Sequence, residues 1–465
     1  MALESGALDR RNFLRASVAG AIALPVGIGL ASCAAGGGGG GATAPKTKDN
    51  PFGVADNTTV DAVIFNGGYG VDYVSYAGKI FEKQHSGSKV KVNPSTEIAT
   101  ELQPRFVAGN PPDLIDNSGA KQIGFNSIRK QLEDLSDVFD ANNLEGNKIS
   151  DTLFAGVKEP GTFNGKFVAL NYVLTVYGVW YSASLFEKNG WTAPTTWDEA
   201  LELGAKAKSA GKYLFVWGKE AATYYHTLAV DSAIKEGGKE VALNIENLKS
   251  GCWSQEPIQK AFTYLKKAVD SQYFKPGGQG TQFTAAQAQW SLDESAIMYP
   301  SGSWIENEMK KQTADDFKMT GVPEFSISDG GSMPKTALRS AAGEPFCVPS
   351  SAKSSAAGKE MLRIMLSKDA ATNFAKTKLA PTIVKDTVPD DGFGSTALAS
   401  QLKMLSDAGS DIYDWVDAYG MNQDQLVLWN TFLSGGSSVA QLTDGLQGIT
   451  DKIANDDSID KVEYK

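Results

Sequence analysis

Three acidic side chains at loop-like positions, Glu101, Asp116 and Glu344, and a late concentration of large aromatic rings are the groups in this 465-residue chain that could do chemistry. Two carboxyls flanking a glycosidic bond roughly 5–9.5 Å apart could hydrolyse it. The same groups, unpaired, could accept hydrogen bonds from the hydroxyls of a ligand that leaves unchanged. Other chemistries lack their residues. His85 and His226 are the only histidines, and neither has a Cys or His cluster nearby, so zinc sites of the usual spacing are absent. No G-x-S-x-G elbow is present to supply a serine nucleophile. The glycine-rich turn at 66–70 falls short of G-x-G-x-x-G because Tyr73 takes the last position, and Pro45 stands where a phosphate loop needs Gly before Lys46.

The rings are unevenly placed. All nine Trp lie at or after Trp180, so a half with polar loop ends (Tyr69, Glu101, Asp116, Asn117) would face a half dense in Trp and Tyr. Such a cleft suits a ligand with polar edges and apolar faces, and sugars fit that description. An indole buries roughly 150–250 Å² in full. One face of it at ~25 cal/mol/Å² contributes about 2–3 kcal/mol gross. Hydrogen bonds to charged groups add roughly 1.5–3 kcal/mol each. Two rings and a few such bonds reach about −8 kcal/mol, a micromolar affinity, after ordering costs.

The beginning of the chain reads as an export signal. Arg10 and Arg11 form a twin-arginine pair, an uncharged apolar stretch runs from Ala16 to Leu30, and it closes on Leu30-Ala31-Ser32-Cys33. That closing string resembles a lipobox, whose Cys is acylated and becomes the new N-terminus; an ordinary cleaved signal with an incidental Cys is the plainer reading. The apolar stretch is short for a membrane span, which needs roughly 20 residues, whereas a pair of acyl chains anchors stably. The glycine run Gly36 to Gly41 and the residues after it, through 57, read as a tether. Net charge is −10 for the chain, and removing the +1 carried by residues 1–32 leaves −11. An acidic body argues against nucleic acid as a partner. Cys252 and Cys347 read as buried free thiols.

The elements that must position these groups alternate. A strand is expected at Val60 to Phe65, then a helix with Val74, Ala77, Ile80 and Phe81 on one face, a strand from Lys89, a helix from Ile98 to Val107, and a strand at Asp113 to Ile115. This rhythm marks an α/β lobe that collects ligands at the carboxyl ends of its strands. Beyond Val176 the spacing predicts a second lobe. There Thr196 and Glu199 form a capping box, Pro257 opens a helix, and Ala296 to Tyr299 is a strand leading into Pro300-Ser301-Gly302-Ser303-Trp304.

Several strings are familiar in combination: Phe65-Asn-Gly-Gly-Tyr69-Gly, Glu101-Leu-Gln-Pro-Arg-Phe106, Asp113-Leu-Ile-Asp-Asn-Ser-Gly119, Thr175-Val-Tyr-Gly-Val-Trp-Tyr181 and Gly302-Ser-Trp-Ile-Glu-Asn-Glu308. With them, the chain from about Val60 onward resembles the extracytoplasmic solute-binding lipoproteins of carbohydrate ABC importers. Within that family it is most similar to actinobacterial binding proteins for N-acetylglucosamine and N,N′-diacetylchitobiose. Cys252, Cys347 and a poorer fit after Lys378 depart from the pattern and leave the exact sugar open, a maltodextrin or xylo-oligosaccharide included. The resemblance implies a two-lobed periplasmic-binding-protein-like α/β fold of type II, with three interlobe crossovers near Val176, Pro300 and Gly343. The expected segments are a signal at 1–32, an anchor and tether at 33–57, a first lobe at 58–175 and 300–343, and a second lobe at 176–299 and 344–465. It also implies a monomer tethered outside the cytoplasm by Cys33, permease subunits as partners, and no cofactor, metal or catalysis.

By motif, Trp304 matches the family's sugar-stacking Trp, Gly68 and Tyr69 the first-lobe loop, Glu101 the first-lobe carboxylate, and Asp116 with Asn117 the strand-end polar pair. Tyr224 and Tyr225 match second-lobe aromatics, Tyr177, Ser303 and Glu344 flank crossovers, Trp217 ends a strand, and Trp415 is the candidate ring of the tail. Each has a structural alternative. Trp304 could be core, Asp116 and Asn117 could cap the next helix, Glu101 could be a solvated charge, and Tyr224 and Tyr225 could point apart. His226 reads as a hydrogen-bonded surface residue.

Overall fold

The computed structural model describes residues 43–464 apart from 120, 155, 417, 418, 420 and 460. The twin arginines, the lipobox Cys33 and the glycine run lie outside the described residues. No helix among those described is long and apolar enough to cross a membrane.

One nine-stranded mixed sheet organises the molecule. At one end the strands Lys89–Ser95, Thr59–Phe65 and Leu114–Asp116 run parallel, with Thr59–Phe65 in the middle. The helices Asp72–Gln84 and Ile98–Val107 connect them, as the alternation of apolar residues requires. Tyr73, Val74, Ala77 and Phe81 form the buried face of the first helix. The helix Ser355–Met365 can lie close against this sheet because Gly358 faces the Asp113 carbonyl, where a Cβ would stand only 2.1 Å from the oxygen. At the other end, Tyr213–Phe215, Ala296–Gly302 and Met319–Val322 form a smaller group of strands.

Two long antiparallel strands, Leu170–Ser182 and Leu338–Cys347, run through both groups. Their pairing continues from Phe346↔Leu170 to Ser340↔Val176. Beyond that the first of them pairs with Ala296–Gly302. The molecule therefore has two apolar cores sharing one pair of strands.

Those cores correct the expected lobe boundaries. Ile305, Met309, Phe317, Met319 and Leu338 pack with Trp180, Trp290 and Ala296, so 300–338 stays in the second lobe. Phe346, Val348, Met361, Ile364 and Phe374 pack with Val60, Ile64, Tyr73 and Phe81, so 346–384 belongs to the first. Pro300 is thus no crossover: it sits in a second-lobe strand paired with Val179. The third crossing lies between Val384, in the first core, and Ala397, in the second. The error has a physical source. Pro-Ser-Gly-Ser reads as a loop, but Pro300, Ser301 and Gly302 pair in register with Val179, Gly178 and Tyr177 and extend the strand.

The tether is also shorter than expected. Thr43 pairs with Val54, Phe52 and Val54 are buried in the first core, and the Arg363 guanidinium donates to the Asp49 carbonyl at 3.2 Å. Residues 43–57 are therefore a docked strap. The capping box at Thr196 and Glu199 forms as the spacing predicts. Cys252 and Cys347 are free, buried, and in different lobes.

Candidate functional site

Where the two long strands pass from one lobe to the other, a cavity of about 240 Å³ opens. Tyr177, Tyr224, Trp304 and Trp415 line it, four rings contributed by a strand, two helix starts and a tail loop. Trp304 is half-buried and meets Tyr177 edge-on at 5.7 Å (87°) and Tyr224 at 6.2 Å (66°). Its Cβ lies 3.5 Å from where a side chain on Gly68 would begin, an ordinary contact, whereas its ring lies across Gly302, where a Cβ would stand only 2.0 Å from it. Next to it, the Asn307 side-chain amide donates to the Gly68 carbonyl, a direct contact between the lobes.

Arg339, which the sequence reading missed, holds two of the rings in place. Its guanidinium lies 4.1 Å from the Tyr177 ring centroid and 4.5 Å from that of Trp415. It donates from Nε to Asp414 at 3.2 Å and from Nη2 to the Trp415 carbonyl at 2.8 Å. Trp415 is fixed from its other end by an indole N–H donated to Asp231 at 2.7 Å. A buried planar cation between two ring faces is favourable when desolvated. An arginine inside a run that otherwise reads as a buried strand was the available signal. Glu324, His226, Thr223 and Gln425 also line the cavity and had no local signature.

Charges around the cavity are matched in pairs. Burial, and then Glu324, push the Asp231 carboxyl well above the usual carboxylate range, and burial raises Glu324 in turn. Lys235 donates to the carbonyls of Glu324 and Lys335 at 2.6 and 2.9 Å, and burial brings its pKa down to about 8. His226 is buried rather than at the surface, ringed by Trp253, Trp415 and Trp429 at 5.3, 5.6 and 5.4 Å. Burial, with the Arg339 charge, depresses its pKa to about 3, so the ring is neutral.

The first lobe presents a second carboxyl pair. Asp116 and Glu344 neighbour each other, and Ser118 and, at 3.4 Å, the Tyr73 hydroxyl donate to Asp116. Burial, then the charge of Glu344, raises Asp116 well above its ordinary range, and burial raises Glu344. Glu344 sits at φ +53° inside a strand. At a non-glycine residue that conformation costs of order 1–3 kcal/mol and persists only where the surroundings over-determine it. The Tyr69 hydroxyl is buried beside Ser303 and Thr175 without a well-formed hydrogen bond to either.

Of the other expected site residues, several are structural. Asn117 is fully buried and closes its own loop, exchanging two hydrogen bonds of 2.8 Å with the backbone of Ile123. Tyr225 points away from Tyr224 and donates to the Val216 carbonyl, while Trp217 belongs to the second core. The Ser303 hydroxyl is buried and accepts from the Val176 amide at 3.3 Å. Glu101 is an exposed charge on its helix and does not line the cavity. Local sequence could not separate these from the true lining, because adjacent helix positions and strand ends differ only in the direction they face.

The comparisons agree with this architecture. Residues 35–372 match the family described as bacterial extracellular solute-binding protein, and the chain belongs to that family. It is similar along its whole length to a diacetylchitobiose binding protein, NgcE, of Streptomyces coelicolor, at 57% identity over 467 residues, with 100% of both chains covered. Among solved structures it resembles RafE in complex with raffinose (TM-score 0.67, 19% identity, 85% of this chain and 99% of that one). It also resembles a chitin oligosaccharide binding protein (TM-score 0.65, 16% identity, 82% and 94%). At such identities these two likenesses speak for the two-lobed fold alone.

Proposed function

We propose that the protein is the sugar receptor of an ABC importer, held at the outer face of the membrane by acyl chains on Cys33. It takes N-acetylglucosamine or N,N′-diacetylchitobiose between its lobes and passes it unchanged to permease subunits. The observation that carries this reading is the cavity itself: four rings, one clamped guanidinium and neutralised acids at the strand crossing. Ring faces cover the axial C–H faces of a sugar, and the polar groups between them meet its hydroxyls. Likeness to the Streptomyces coelicolor protein favours the acetylated sugar. Asp116 and Glu344 do not line the cavity, which favours binding over hydrolysis there, since hydrolytic carboxyls flank the bond they cleave. The sugar favours closure only insofar as it binds the closed form better.

Titration calorimetry with N-acetylglucosamine, N,N′-diacetylchitobiose and maltose tests the reading. Heat is expected with the first two only. Heat with maltose alone would overturn the choice of sugar, and heat with none would overturn the receptor assignment. Cys33→Ala should move the protein from the membrane fraction to the medium; retention on the membrane would refute the anchor.

A further inference from the structure

The cavity contains polar atoms that the protein itself leaves unsatisfied. His226 is 6% exposed and its Nδ1 has no hydrogen-bond partner; Ser301 is also 6% exposed and its Oγ has none. Both residues line the cavity, together with Leu228, Pro300 and Trp415. Of the charged groups beside them, Arg339 is engaged with Asp414 and the Trp415 carbonyl, while Glu324 on the same lining also keeps one buried oxygen, Oε2, without a partner. A buried polar atom without a partner costs roughly 1–3 kcal/mol, and native structures keep few of them. Three on the lining of one cavity, two of them the neutral groups of His226 and Ser301, mark where a ligand brings its own polar atoms.

Resting on the sugar-receptor reading above, we propose that His226 and Ser301 recognise the acetamido group and so determine selectivity for N-acetylated over plain hexose disaccharides. A neutral imidazole offers one donor and one acceptor, and a hydroxyl can donate. A secondary acetamide is complementary to that set. Its N–H donates to the free imidazole nitrogen, its carbonyl accepts from the Ser301 hydroxyl, and its methyl lies on Leu228 and Trp415. Burial and the Arg339 charge keep the imidazole neutral, which preserves its acceptor. A hydroxyl at the same sugar position is too small to satisfy both atoms and fill the apolar corner. It leaves one of them orphaned, and sites built for a polar group discriminate strongly against ligands that lack it.

The test compares N,N′-diacetylchitobiose with cellobiose, which carries hydroxyls in place of the acetamides, by calorimetry on the wild type, Ser301→Ala and His226→Phe. One lost hydrogen bond corresponds to about tenfold in affinity. Each variant should therefore bind diacetylchitobiose about tenfold more weakly and lose less affinity for cellobiose, so that the preference for the acetylated sugar narrows. Ser301→Ala removes only a hydroxyl and keeps the test valid if the histidine variant folds poorly. In wild-type protein labelled with ¹⁵N, the His226 imidazole resonances should shift on adding diacetylchitobiose and not cellobiose. Unchanged selectivity in Ser301→Ala with unmoved imidazole resonances would overturn this inference and leave the receptor reading standing. Absence of binding to either sugar by the wild type would overturn the receptor reading, and the inference with it.

Discussion

Replacing Trp304 with alanine should weaken sugar binding by about 30- to 150-fold while leaving the protein folded. The magnitude follows from the ring's surroundings. Tyr177 and Tyr224 meet it edge-on, the Gly68 loop closes on its Cβ, and the ring is half-buried on the wall of the cavity. A sugar stacked on the remaining face would bury about half of the roughly 150–250 Å² an aromatic ring offers. At ~25 cal/mol/Å² that is about 2–3 kcal/mol, and 1.4 kcal/mol is tenfold in affinity. Within the protein, two edge-to-face contacts of about 0.5–1.5 kcal/mol each are lost, too little to unfold a domain of this size. Calorimetry with N,N′-diacetylchitobiose measures the first quantity and urea unfolding the second. An affinity loss below about threefold in a folded variant would refute the stacking argument, because the exposed face would then not be where the sugar lies.

Two further perturbations probe the supporting charges. Arg339→Met should destabilise by about 1–3 kcal/mol, because it leaves the Trp415 carbonyl without its donor and removes the cation between two rings. Urea unfolding measures the loss, and a variant costing under about 0.5 kcal/mol, less than one ordinary hydrogen bond, would contradict the clamp. Asp116→Asn tests the first-lobe pair through pH. The Asp116 carboxyl is raised in the folded state, by burial and then by Glu344. The folded protein thus keeps a proton that the unfolded chain releases above about pH 4, and this group makes stability fall as pH rises from there towards the folded pKa. The asparagine variant lacks that decline. Its stability relative to wild type should rise with pH, by up to about 1.4 kcal/mol per unit; a difference that stays constant between pH 4 and 8 would refute the retained proton.

The α/β character, the capping box and the ring-rich second lobe were all legible in the sequence, because each rests on local periodicity or spacing. Trp304, Tyr177, Tyr224 and Trp415, named through the family resemblance, all line the cavity, but Trp217 and Tyr225, named the same way, pack into the second core. What escaped was decided by direction and distance. Asn117 and Tyr225 neighbour site residues in the chain but face inward, and Ser303 neighbours Trp304 with its hydroxyl turned to the Val176 amide. Arg339 and His226 acquire their roles only when strands and helices from distant parts of the chain converge. The lobe boundaries were misplaced for a similar reason. Which core claims the segment after Trp304 depends on partners such as Trp180 and Trp290, far away in sequence.

A crystal structure of the protein with N,N′-diacetylchitobiose measures the central claim most directly. It should show the sugar between the lobes, one ring face on Trp304, with Tyr177, Tyr224 and Trp415 around it and the glycosidic bond intact. A sugar bound elsewhere on the surface, or a cleaved one, would contradict the account.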